Sequence, residues 1–282
     1  MLRIGSASIT PLIDGELRGS LEYFYPDDDV RAVREVPGIL DAVTGEAIMS
    51  IGAYLITDGP RQILVEAGVG RTPRTPPVSG GALRSAMLAV GVAPHNITDV
   101  VFTHLHFDHI GWASFNGVPF FPQATYHCDR RDRDYFLDPD YDEPWEHHAT
   151  HIEVDAARVR LAPVLDRLEC WDRPGEILPG LSAVQAAGHT PGSSALLLES
   201  EGERALFLGD IAHTIPELLH GWRFRTHVDG ERAGESLRAI RDFLVEEDLL
   251  CSGSHFPGLQ WGRVVRDEYG SFDWVSARAG HR

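Results

Sequence analysis

No apolar run in this chain approaches the roughly 18 residues that a membrane helix needs, so no membrane-spanning helix and no membrane partner are expected. The opening residues, Met1-Leu2-Arg3-Ile4-Gly5-Ser6, lack a basic region followed by a long apolar stretch, so no secretory signal is expected. Cysteine is scarce. Cys128, Cys170 and Cys251 are widely spaced and form no C-x-x-C pair, which excludes a disulfide framework and fits a reducing cytoplasm. Cys251 reads as a small buried side chain at a strand end. Basic residues are outnumbered, with 25 Lys and Arg against 42 Asp and Glu and a formal net charge of −17. Such a surface repels phosphate backbones, so no nucleic-acid partner is expected. There is no G-x-S-x-G elbow, hence no support for a serine hydrolase. No internal repeat or low-complexity linker divides the chain.

What is present is an ordinary globular composition, 43% hydrophobic and 24% charged over 282 residues, enough for a sizeable core. Ile51–Ile56 and Gln62–Val65 read as two strands joined across Asp58-Gly59. Ala82–Val90 reads as a helix ending near Gly91, and Asp99–Phe102 as a strand. Asp155–Glu169 has a helical apolar pattern that Pro163 interrupts, giving a kinked helix or two short ones. Leu181–Ala186, Ser194–Leu198, Ala205–Leu208 and Leu249–Cys251 read as strands, with a helix over Glu231–Glu246. The order of elements predicts α/β layers in one domain spanning 1–282.

The densest chemistry lies in Thr103-His104-Leu105-His106-Phe107-Asp108-His109-Ile110-Gly111, directly after the apolar run Val100-Val101-Phe102. Imidazole and carboxylate are ligands that borderline metals such as Zn(II) prefer. On an extended strand end, His104 and His106 point to one side, and a turn must re-aim Asp108 and His109. The segment can thus offer two ligand pairs to two adjacent metals, which require further ligands elsewhere. These follow: His189 in Gly188-His189-Thr190-Pro191-Gly192, Asp210 after Gly209, and His255 after Ser254, each just beyond an apolar run.

On these motifs the chain resembles the metallo-β-lactamase superfamily. The resemblance implies an αββα sandwich, two mixed β-sheets flanked by helices, with a dinuclear site. It places His104, His106 and His189 on one metal, Asp108, His109 and His255 on the other, and Asp210 and a hydroxide between them. It also implies two divalent ions, expected as Zn, with Mn, Fe or Co accepted by the same ligands. The metal-bridging hydroxide is expected to attack a carbonyl or phosphoryl centre, and Asp108 to take or relay the proton.

Two positions depart from the family pattern. Glu66, in Val65-Glu66-Ala67-Gly68, stands where an Asp usually orients metal ligands. His213 stands three residues after Asp210, where related lactonases often carry Tyr. His213 either faces the substrate, as hydrogen-bond donor or acid for the leaving group, or packs into the following helix or points to solvent. Asp at 210 without an export signal, the acidic charge, and the short stretch after His255 disfavour the β-lactamase, ribonuclease, flavodiiron and glyoxalase-II-type branches. The resemblance that remains is to the lactonase and organophosphate-hydrolase-like branch, with a helical or loop insertion at about 117–178. A lactone or related ester is therefore the expected small-molecule substrate. A phosphotriester or thioester is the alternative, and a mononuclear-iron dioxygenase the alternative of another class. The aromatic stretch Leu21–Pro26 either shapes the pocket and a homodimer interface or caps the core. His147, His148 and His151 suggest a lid, a dimer surface or a third metal site.

Overall fold

The computed structural model describes residues 1–30, 39–71, 78–142 and 156–277; the His147, His148 and His151 cluster lies outside them. The chain divides into two compact units. One holds Ser6–Leu17 and Ile51–Asp172, and the other holds Leu2–Gly5, Arg18–Ser50 and the residues from Arg173 onward. No helix among the described residues is long and apolar enough to cross a membrane.

The first unit is built on a mixed sheet in the order β1 (Ala7–Gly19), β2 (Ala47–Asp58), β3 (Arg61–Val65), β4 (Asp99–Val101), β5 (Thr125–Asp129) and β6 (Leu168–Trp171). β2 and β3 form the expected antiparallel hairpin, pairing Tyr54 with Val65 and Asp58 with Arg61. β3 to β6 run parallel, so each connection must cross over. Helix α1 (Leu83–Ala89) serves the first crossover and ends where Gly91 adopts φ 78°, a conformation that costs glycine little. Its Leu83 and Met87 pack with Leu64, Val100 and Tyr126 in one buried cluster.

The stretch expected as a helical or loop insertion contributes two strands to this sheet. Leu168 opens β6 instead of closing a helix. Before it, the helix Ala157–Leu161 gives way to a 3-10 turn over Ala162–Arg167, because Pro163 has no N–H for the α-helical ladder. β1, not expected from the sequence, buries Ala7 and Ile9, then Leu12 and Asp14. The inward phase shifts across Pro11, which hides the alternation that marks a strand.

The second unit carries a seven-stranded sheet in sequence order: β7 (Gly175–Leu178), β8 (Leu181–Gln185), β9 (Ser194–Ser200), β10 (Glu203–Phe207), β11 (Leu250–Ser252), β12 (Gly262–Arg266) and β13 (Phe272–Ser276). Neighbours are antiparallel except β10 and β11, which pair Leu206 with Cys251 in parallel. The long helix Gly230–Glu246 makes that crossover, capped by the Asp229 side chain accepting from Arg232 N. Its Ala233, Leu237, Ile240 and Leu244 repeat at helical spacing and are buried. The last three pack with Leu206 and Cys251. Leu21, Phe24 and Tyr25 are buried here as well, and Phe24 stacks on Phe224 with centroids 5.5 Å apart. The segment is therefore core of this unit, and of its aromatic rings only Tyr23 is exposed.

Candidate metal centre

In the first unit, β4 ends at Val101 and the chain turns through His104 and His106 into the one-turn helix Phe107–Ile110. His104, His106, Asp108 and His109 are all buried. The strand stops earlier than the alternation argument assumed, yet the two imidazoles still meet: His104 Nε2 lies 2.9 Å from His106 Nδ1, with the rings nearly perpendicular. The His109 ring centroid is 4.0 Å from that of His104. A second strand end fixes this turn. Ala67 N donates to His109 O (2.6 Å), Gly111 N to Gly68 O (2.7 Å) and Trp112 N to Ala67 O (2.9 Å).

Glu66 sits at the head of that second loop, fully buried, at φ 67°. A non-glycine residue there stores roughly 1–3 kcal/mol of backbone strain. The carboxylate gains contacts in return: it accepts from the Thr103 hydroxyl and lies 3.2 Å from His109 Nδ1. Glu66 therefore engages the motif directly, as the resemblance implies for the shorter Asp. Glu66, His104 and His109 each bring one donor atom to within 4.8 Å of the others, a spacing that can hold a metal ion.

The loops can approach so closely because both carry glycine. A Cβ on Gly111 would lie 2.0 Å from the Val69 carbonyl carbon, which is backbone and cannot rotate away. Gly111→Ala is expected to lower stability by about 2–4 kcal/mol. Gly91→Ala, where a Cβ meets nothing within 4 Å, pays only for its positive φ, about 1 kcal/mol. Denaturant midpoints of the two variants check the contrast; equal losses would show that the loop contact is not tight.

In the second unit, three imidazoles converge on one carboxylate oxygen. Asp210 Oδ2 lies 3.1 Å from His255 Nε2, 3.2 Å from His213 Nε2 and 3.5 Å from His189 Nε2. All four side chains are buried. Three of them stand just past a strand: His189 after β8, Asp210 in the 3-10 turn after β10, and His255 after β11. His255 is oriented by Ser50 O, 2.8 Å from its Nδ1. Gly188, at φ 139°, lets the His189 loop approach the long helix, where a Cβ would lie 2.2 Å from Ala233 N. His189, Asp210 and His213 again place one donor atom each within 4.8 Å of the others.

His213 thus joins the candidate ligands through Nε2 while its other ring nitrogen packs against the following helix. Its ring stacks on Phe224, centroids 3.5 Å apart and planes at 10°. Its Nδ1 lies 3.2 Å from Glu217 Oε2, and its backbone N donates to the same oxygen at 2.6 Å. Burial works against an imidazolium here, yet Glu217 and then Asp210 outweigh it and push the His213 pKa up to about 9. Burial likewise opposes the Glu217 carboxylate, and His213 and His227 pull it down to about 2.

Residues 51–255 match the model of the metallo-β-lactamase superfamily. The chain belongs to this superfamily. Among curated members it is 24% identical over 186 residues to an N-acyl homoserine lactonase of Bacillus sp, and 30% over 162 residues to the N-acyl homoserine lactonase AttM of Azorhizobium caulinodans. These alignments cover 64% and 55% of this chain, and the chain spans 64% and 57% of those relatives' lengths. Among solved structures, AbOPH, described as a hydrolase in the beta lactamase superfamily, aligns with a TM-score of 0.86 at 26% identity, covering 99% of this chain and 97% of that one. AidC, a dizinc quorum-quenching lactonase in complex with a product, N-hexanoyl-L-homoserine, aligns with a TM-score of 0.82 at 21% identity, covering 99% of this chain and 97% of that one. The expected α/β fold with two mixed sheets and helices is the one found.

Two residues at the second cluster, Glu217 and His227, escaped the sequence reading, and Tyr25 was read only as part of the aromatic stretch Leu21–Pro26. Glu217 carried a local signal. Thr214-Ile215-Pro216-Glu217 is a helix start, with the Thr214 hydroxyl accepting from Glu217 N. Nothing in the sequence places Tyr25 or His227 beside it.

Proposed function

We propose that this chain is a hydrolase dependent on two divalent metal ions, acting on a lactone or a closely related ester. The convergence of His189, His213 and His255 on a single Asp210 oxygen carries the reading. Three imidazole nitrogens and a carboxylate oxygen drawn together in a buried site make a donor set that suits Zn(II), Mn(II) or Co(II). Following the family pattern, His104, His106 and His189 are assigned to one ion, Asp108, His109 and His255 to the other, and Asp210 to both. When bound, such a pair supplies a water acidified towards neutrality and polarises the acyl oxygen.

The protein's own groups supply the rest. Asp108, in the first turn of its helix, is assigned the proton released on attack. His213, held through Nδ1 by Glu217, presents Nε2 towards Asp210 and is assigned the hydrogen bond to the departing oxygen. Glu66 keeps His109 aimed. The lactone class rests on the relatives named as N-acyl homoserine lactonases. Three unbridged cysteines support a cytoplasmic location. Self-association into a homodimer belongs to this reading, and light scattering that shows a monomer removes it.

The test is metal analysis joined to a substrate panel. About two Zn, Mn or Co per chain are expected, with fastest turnover on lactones among lactones, aryl esters, thioesters and phosphotriesters. Fastest turnover on phosphotriesters or thioesters would move the chain to that alternative. One Fe per chain with oxygen consumption would overturn hydrolysis.

A further inference from the structure

Two of the three cysteines, 42 positions apart in sequence, meet in the first unit. Cys128 on β5 and Cys170 on β6 are register partners in the parallel sheet, and their Sγ atoms lie 3.7 Å apart. Both belong to the face that packs with Tyr126 and Phe136. Both thiols are free. Cys251 is remote from them, buried in the core of the second unit.

The backbone is already spaced for a covalent bond. Adjacent strands lie about 4.8 Å apart, inside the roughly 4.4–6.8 Å of Cα separation that a disulfide spans. The sulfurs have to close from 3.7 Å to about 2 Å, a movement of side chains that keeps the strand register.

The two thiols also differ in the way that oxidation requires. Cys170 is half-buried, whereas Cys128 is fully buried. The contact with Cys128 holds the Cys170 thiol below its ordinary value, helped by the Arg130 and Arg133 guanidiniums against burial and Asp134. The same contact, and then burial, push the Cys128 thiol well above its ordinary value. Cys170 is therefore the thiol that ionises and meets a small oxidant, and Cys128 is the thiol waiting beside it. Burial pushes the Cys251 thiol up, which keeps it inert.

We propose that Cys128 and Cys170 form a reversible oxidation site, which reacts with a hydroperoxide and closes into an intramolecular disulfide between β5 and β6. First, the Cys170 thiolate attacks the peroxide. An S–O bond forms, the O–O bond breaks, and the departing oxygen takes up a proton to leave as water or an alcohol. Next, the Cys128 sulfur attacks the Cys170 sulfenic acid. The S–S bond forms, the S–O bond breaks, and the hydroxyl leaves as water with the Cys128 proton. The two thiols are oxidised by two electrons and the hydroperoxide is reduced by two. The bridge fastens β6, the last strand in the order of its sheet, to its neighbour. It also keeps Cys170 from proceeding to the sulfinic acid, which thiols do not reverse.

The experiment treats the protein as isolated with an equimolar amount of hydrogen peroxide and maps its thiols and crosslinks by mass spectrometry without reductant. Two of the three thiols are expected to disappear together, with the peptides of Cys128 and Cys170 joined, and dithiothreitol should restore both. The bridged protein should melt about 5–10 °C above the reduced one. With excess peroxide, Cys128→Ser should accumulate Cys170 as sulfinic acid, and Cys170→Ser should keep Cys128 as a thiol. Cys251→Ser should bridge as the parent does. Three free thiols after treatment, or a bridge that links two chains, would overturn the proposal. So would a Cys128–Cys170 bridge that lowers the melting midpoint, because the strands would then be wrongly spaced for it. If Cys128→Ser does not fold, the crosslink map and melting midpoint of the parent decide alone.

Discussion

Asp108→Asn is expected to lower lactone turnover by about 10²- to 10⁴-fold while the melting midpoint stays close to that of the parent. Asparagine preserves the size of the side chain and its place in the first turn of the helix Phe107–Ile110, so the fold loses little. It removes the negative charge and the basic oxygen together. If Asp108 is both a ligand and the proton acceptor, neither role survives the exchange. The measurement is kcat/KM on the best lactone, with metal content determined on the same sample. A loss of rate with both ions retained isolates the proton role, whereas loss of one ion points to ligation. An unchanged rate would end the assignment of Asp108 to the reaction.

Asp14→Ala is expected to lower stability by about 3–5 kcal/mol, and to reduce activity although Asp14 takes no part in the chemistry. Its two oxygens accept five buried or partly buried donors: Val69 N (2.8 Å), Gly70 N (3.1 Å), Gly81 N (3.1 Å), Leu83 N (2.6 Å) and Trp112 Nε1 (2.9 Å). Alanine leaves those donors without an acceptor, and each buried orphan costs about 1–3 kcal/mol before relaxation. Three segments lose their common anchor, among them the loop that carries Glu66 and the residue that follows the histidine motif. Burial raises the Asp14 pKa although Leu83, Trp112, Gly70 and Val69 pull it down. The ionised form is thus the less favoured one in the fold, and the contribution of this group declines as pH rises from its unfolded value through its folded one. The neutral isostere Asp14→Asn should accordingly cost less than Asp14→Ala. Urea denaturation of both variants at pH 7 checks the order, and Asn as damaging as Ala would contradict it.

The candidate ligand residues were legible because each is marked locally. His104 to His109 follow an apolar strand, and His189, Asp210 and His255 follow others, so residue type and neighbour suffice. Helix Gly230–Glu246 was legible for the same reason, having a repeating apolar face. What stayed hidden is non-local. Tyr25 and Glu217 are 192 positions apart and meet only through the fold. β1 was masked by Pro11 in the middle of its alternation, and β5 and β6 by the polar residues around them. The role of His213 was undecidable from the sequence because either face of the chain after Asp210 could have been inward. Its contacts to Asp210 and Glu217 settle which one is.

The Asp14 anchor also imposes a timetable on synthesis. Its most distant donor, Trp112, lies 98 positions later. At a ribosomal pace of about 5–20 residues per second, the carboxylate waits roughly 5–20 s for its last partner. Until then the Glu66 loop lacks one of the contacts that fix it. Once Trp112 has emerged, all the donors that hold this loop against the His104–His109 turn are in the nascent chain, whereas His189, Asp210 and His255 are still untranslated. The first cluster can therefore be shaped on the ribosome, before the second exists.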